Sequence, residues 1–123
     1  MSYQNFEDLE VWKKARVLKN EIRVLTKTFP PEEKFRLCDQ LVRSSRSINA
    51  QLAEGHGRRT YPDRLRFCII ARGSLSETLN HLIDALDENY ISEAVLNEYK
   101  AKIAEVEKLL NGYIHYIEKK IAP

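Results

Sequence analysis

The chain has 123 residues, a formal net charge of +2 at neutral pH, 31% charged residues, and only four glycines and four prolines. That length fits one domain over residues 1–123 with a modest core, and the composition argues against a disordered or disulfide-scaffold protein. No basic segment followed by an apolar one opens the sequence, and the longest apolar run is "FCIIA". This is far short of the ~20 residues of a membrane span, so a cytoplasmic protein without membrane insertion is expected.

Trp12, Ala15, Leu18, Ile22, Leu25 and Phe29 recur at helical spacing and predict a first helix from about Phe6 to Thr28. The "FPP" at 29–31 stops it, because proline lacks the amide and clashes with the preceding turn. Pro31, Glu32 and Glu33 suit the first turn of the next helix, so helix two is expected to start there, with Leu37, Leu41, Ser45, Ile48 and Leu52 as its buried line. Gly55 and Gly57 are expected to close helix two in the left-handed conformation. Thr60 as N-cap, Pro62 in the first turn and Asp63 predict the start of helix three. Its apolar face is Leu65, Cys68, Ile69, Leu75, Leu79, Leu82, Ile83, Leu86 and Tyr90. Ser92 caps a fourth helix whose Leu96, Tyr99, Ile103, Val106, Leu110, Tyr113 and Ile117 step by three and four in alternation. Four long helices with short links predict an all-α, up-down-up-down antiparallel four-helix bundle.

The small net charge conceals segregation. Residues 34–72 carry nine basic and three acidic side chains, whereas residues 73–123 carry five and nine. A basic middle can steer a polyanion, can meet acidic surfaces between subunits, or can be the solvated face of a helix. Surplus apolar residues off the main stripes, namely Val11, Val17 and Val24 on helix one and Phe67, Ile70 and Ala71 on helix three, predict self-association. Arg72 falls inside the apolar face of helix three, beside Gly73 and Ser74. A buried guanidinium needs a carboxylate, so an ion pair with Glu54, or failing that Glu77, is expected; the functional alternative is that Arg72 lines a cleft.

The stretch "GHGRRT" at 55–60 lacks the spacing of a phosphate-binding P-loop and follows no strand. Arg58, Arg59 and Arg64 around the start of helix three suggest a looser anion site. Catalysis is not expected. His56 beside Glu54 has no nucleophile or metal set near it, His81 and His115 read as helix-surface or interface residues, and no histidine spacing suits zinc or di-iron. Cys38 and Cys68 read as reduced core thiols, and no cofactor is indicated.

The segments "FEDLEVWKKA" at 6–15, "FPPEEKFRLCDQLVRSSRSINAQLAEGHGR" at 29–58 and "FCIIARGSLSE" at 67–77 resemble the bacterial four-helix-bundle proteins encoded in intervening sequences of 23S rRNA genes. Gln51 and Leu52 stand where Asn-Ile is common in that family. The accessory variability protein of diversity-generating retroelements belongs to the same broader group. The resemblance implies a bundle assembling into a ring, a pentamer, whose basic surface contacts RNA, DNA or a reverse transcriptase, and it implies no catalytic residues. By matching position, Arg43, Arg46, Arg58, Arg59 and Arg72 would line that surface. With Arg64 added from the corner, these are the candidate nucleic-acid contacts; the alternative is an oligomeric adaptor docking an acidic protein.

Overall fold

The structure is a computed structural model that describes residues 5–121. Four helices follow one another: α1 (Glu10–Thr26), α2 (Leu37–His56), α3 (Tyr61–Asp87) and α4 (Glu93–Ile121). Among the described residues there is no strand. Each helix packs on its sequence neighbours and α4 closes back on α1, while neither diagonal pair brings its backbones close. Level contacts show the alternating direction. Asn49 Nδ2 donates to the Trp12 carbonyl at 3.0 Å near one end, and the Cys38 thiol lies 3.4 Å from the Thr26 carbonyl near the other. Ser47 meets Ser74, Lys14 pairs with Glu105, and Glu21 with Lys102. The up-down-up-down bundle expected from the sequence is the fold.

Leu18, Ile22, Leu41, Ile48, Leu52, Leu75, Leu82 and Leu110 form the fully buried centre. The four predicted stripes supply most of this core, and three differences have physical causes. Val11, Phe67 and Ala71 are buried, not surplus. α3 packs on both α2 and α4, so its buried sector is wide and reaches Phe67 and Ala71, while Ile69 and Ile83 from the predicted face are exposed. His81 is buried rather than on the surface, with Nε2 3.1 Å from Glu77 Oε2.

Helix two begins later than expected. Pro31–Glu33 make only a short 3-10 turn, and Arg36 (φ −121°, ψ −105°) breaks the chain direction before α2. The Glu33 carboxylate accepts from the Leu37 amide at 3.5 Å and from the Tyr90 hydroxyl at 2.7 Å, tying the α1–α2 connection to the α3–α4 turn. That hydrogen bond, with burial and neighbouring carboxylates added, pushes the Tyr90 phenol up to about 12. No glycine has a positive φ. Gly55 lies inside α2 and Gly57 ends it at φ −79°, so the left-handed closure expected of them is absent. Asn89 (φ 63°) takes that role after α3, where the Tyr90 amide reaches back to the Ala85 carbonyl at 2.9 Å in a Schellman-type closure.

The α2–α3 contact is close and polar. Thr78 Oγ1 donates to Ser44 Oγ, and the Ser47 and Ser74 hydroxyls hydrogen-bond each other, both at 2.9 Å. Small side chains let the two helices approach, and the hydroxyls satisfy one another in the buried seam. Thr78→Val is expected to lower unfolding free energy by about 1 kcal/mol in urea denaturation, since the hydroxyl placed between Ser44 Oγ and the Ser74 carbonyl is lost at nearly constant volume.

Candidate nucleic-acid interface

The basic residues sit on two structures, the outer face of α2 and the α2–α3 corner. α2 turns its core line inward, so Arg43 and Arg46 point to solvent along one outer stripe, with Arg36 at its start. Arg43 approaches Asp39 at 3.8 Å, while Arg46 has no carboxylate partner among the described residues.

The corner is built differently. Thr60 Oγ1 accepts the Asp63 amide at 3.3 Å and Pro62 stands in the first turn of α3, as their residue types predict. Arg58 bonds Glu54 Oε1 at 2.8 Å, approaches Asp63 at 3.7 Å and lies 4.6 Å from the Phe67 ring centre. Arg66 pairs with Asp63 at 2.9 Å and covers the same ring. Arg64 Nε donates to the Arg58 carbonyl at 2.8 Å and its guanidinium lies over Tyr61. The positive end of α3 therefore already faces the protein's own Asp63, which displaces the anion site expected among Arg58, Arg59 and Arg64. Arg58 and Arg64 hold the corner closed. Arg59 alone of the three is exposed without a carboxylate partner among the described residues.

Arg72 is not an ion-paired core residue. It is half-buried at the α3–α4 seam, where Nη1 donates to Asn111 Oδ1 at 3.1 Å. Both expected partners are engaged elsewhere, Glu54 with Arg58 and Glu77 with His81. The register of α3 explains this: Ser74, two residues on and so on the opposite side of the helix, faces α2, and Arg72 lies on the α4 side.

All three carboxylates of residues 34–72 are thus consumed by Arg43, Arg58 and Arg66. Lys34, Arg36, Arg46, Arg59, Arg64 and Arg72 have no carboxylate within ion-pair distance among the described residues, and Arg36, Arg46 and Arg59 face solvent. The partners within the corner needed the structure to be seen, although Glu54–Arg58 and Asp63–Arg66 have helical i,i+4 and i,i+3 spacing that signals pairing.

His56 bears on the same end of the bundle. Its Nδ1 is buried without a partner among the described residues, and desolvation, then the nearby Arg64 cation, lowers its pKa, against a smaller opposing effect of Asp8. A lowered folded-state pKa means that the unfolded chain binds a proton first as pH falls below about 6.5. Stability attributable to His56 is intact above that pH and declines below it. Thermal melts from pH 7.5 to 5.5 should show a drop in Tm that His56→Gln reduces.

Cys68 is buried and its thiol is pushed up to about 12 by desolvation; Cys38 is raised for the same reason and by Glu33. Neither is poised as a thiolate nucleophile. Among the described residues no group of histidine, cysteine and carboxylate side chains has metal-holding geometry, and no helix is long and apolar enough to cross a membrane.

Comparison with known proteins fits this architecture. A crystal structure of a protein of unknown function from the S23 ribosomal protein family of Bacteroides thetaiotaomicron is similar, with a TM-score of 0.76 and 27% identity over 85% of this chain and 97% of that one. No curated protein matches significantly. The sequence profile of the 23S rRNA-intervening sequence protein family matches residues 7–112, which covers α1 to α3 and α4 as far as Gly112, and the chain belongs to that family.

Proposed function

We propose that the protein is a non-enzymatic, self-associating module that binds nucleic acid through phosphate contacts made by the outer face of α2 and the exposed edge of the α2–α3 corner. One observation carries this reading: the three acidic side chains of the basic segment are spent internally, so its excess positive charge remains as unpaired cations, and Arg36, Arg46 and Arg59 are directed to solvent. Arginines so displayed neutralise phosphates, displace condensed counterions and confer little base preference. Tyr61 and Phe67, the aromatics nearest the corner, are covered by the protein's own guanidinium groups, so base stacking at the corner contributes little. The rRNA context in the family's name and the ribosomal family of the structural neighbour favour RNA over an acidic protein. Assembly of several copies in a ring would multiply these weak contacts.

The test is a salt-dependent binding series on Arg46→Ala/Arg59→Ala against Arg43→Ala/Arg66→Ala, using an RNA hairpin and a DNA duplex. The first pair should weaken binding to both and make the salt slope shallower by about one for each lost contact. Equal effects from the two pairs, or none from the first, would refute the assigned surface.

A further inference from the structure

Two outer faces of the bundle carry opposite, unmatched charge around exposed apolar residues. On α1, Val17 is 54% and Val24 56% exposed, two turns apart, and Arg16, Arg23 and Lys27 beside them have no carboxylate partner among the described residues. On α3, Ser76 and the 36%-exposed Ile83 are also two turns apart. Beside them, Glu77 and Asp84 have only His81 as a partner, their side chains 59% and 53% exposed, and Asp87 has no cation partner among the described residues.

We propose that the α1 face of one copy packs in parallel on the α3 face of the next. This deepens the self-association reading above and rests on it. The pairing sets Val17 on Ser76 and Val24 on Ile83, and it brings Arg16 to Glu77, Arg23 to Asp84 and Lys27 to Asp87. Asn20 meets Asn80 between the Val17–Ser76 and Val24–Ile83 pairs.

The fold supplies the register independently of the charges. α1 and α3 point the same way, since each runs antiparallel to α2. Asn49 bonds Trp12 and Cys38 lies at Thr26, whereas Ser47 bonds Ser74 and Ser44 bonds Thr78. Through α2, therefore, Val17 is level with Ser76 and Val24 with Ile83 within a single copy. Copies placed side by side at equal height meet in the register that the charges select. Zero climb from copy to copy is the condition for closing a ring, whereas a vertical offset would generate a helical filament.

Sidedness agrees as well. Arg16 stacks over Trp12, whose carbonyl is bonded from α2, and Glu77 lies between Ser74 and Thr78, which bond Ser47 and Ser44 of α2. The charged flank of each face is thus its α2 side, and side-by-side packing joins the two charged flanks. It also leaves every α2 outer face uncovered on one side of the assembly, so the arginines of successive copies form a continuous belt.

Light scattering with mass determination on Val17→Glu, Ile83→Lys and their mixture tests the interface. Both positions are exposed, so circular dichroism and the melting temperature should match the parent chain. Each variant alone should be monomeric. Mixed, they should give a 1:1 dimer and nothing larger, because Val17→Glu keeps a working α3 face and Ile83→Lys keeps a working α1 face. A parent chain that is monomeric at tens of micromolar refutes self-association itself. A parent chain that assembles while either variant keeps its mass, or while the mixture stays monomeric, refutes this interface and leaves self-association standing.

Discussion

Replacing Gly55 by valine should lower the unfolding free energy by about 3 kcal/mol, the upper part of the range for overpacking a tight core. A Cβ at this position would lie 2.7 Å from the Phe67 Cβ and 3.3 Å from the Arg64 carbonyl. Neither is the free end of a flexible side chain, so α2 and α3 must separate or tilt. Their separation would disturb the Ser47–Ser74 and Ser44–Thr78 hydrogen bonds further along the seam. The sign is diagnostic because intrinsic propensity acts oppositely: glycine inside a helix is worse than alanine by about 1 kcal/mol. Gly112, in α4 with nothing within 4 Å of an added Cβ, is the control. Gly112→Ala should stabilise by about 1 kcal/mol in the same denaturant experiment. A neutral or stabilising Gly55→Val would mean that the helices are not in this contact.

Leu82→Ala and Ile83→Ala, adjacent on α3, should differ by several kcal/mol. Leu82 is fully buried between helices, so its truncation leaves a cavity and should cost about 2–5 kcal/mol. Ile83 is 36% exposed, and truncating it in a dilute, monomeric sample should cost about 0.5 kcal/mol or less. Similar losses at the two positions would place the helix in a different rotation about its axis. The comparison also guards the interface experiment, because it shows that a change at Ile83 acts between copies and not on the fold.

The legible parts of the fold are those where one physical cause dominates. α4 has a single apolar line that Leu96 begins and Ile117 ends, and all but half-buried Tyr113 of the predicted seam is buried. α3 is harder, because it contacts two helices and lines one contact with Ser74 and Thr78 rather than with large apolar groups. Its buried sector is therefore invisible to a search for hydrophobes, and Ile69, Ile70 and Ile83 draw attention to the wrong side. The spaced small residues of "RSSRS" and "RGSLSET" were the signal for that close contact. Gly55 shows a second source of error. A glycine near a helix end suggests a left-handed residue, yet this one is needed for what it lacks, a Cβ facing Phe67.

The site divides along similar lines. Basic excess in residues 34–72 is plain from the sequence, but which arginines are free is a property of folded distances. Glu54 and Asp63 stand at helical spacing from Arg58 and Arg66, which hints at pairing that Arg46 lacks, but the corner geometry is needed to show that Arg58 also reaches Asp63 while Arg59 stays free. Arg72 departs from expectation for the same reason. Its position on the wheel is correct, but the seam it borders opens to solvent and offers Asn111 instead of a carboxylate.

Titration of the unmodified protein with labelled RNA hairpin and DNA duplex across about 50 to 200 mM salt spans a range over which phosphate-driven binding changes steeply. Contacts by Arg36, Arg46 and Arg59 predict that log affinity for duplex falls with log salt at a slope of about −3, or more steeply if several copies engage one strand, at about 0.9 per phosphate. Absence of binding at the lowest salt, or an affinity indifferent to salt, would contradict the claim that these outward arginines are a phosphate-binding surface.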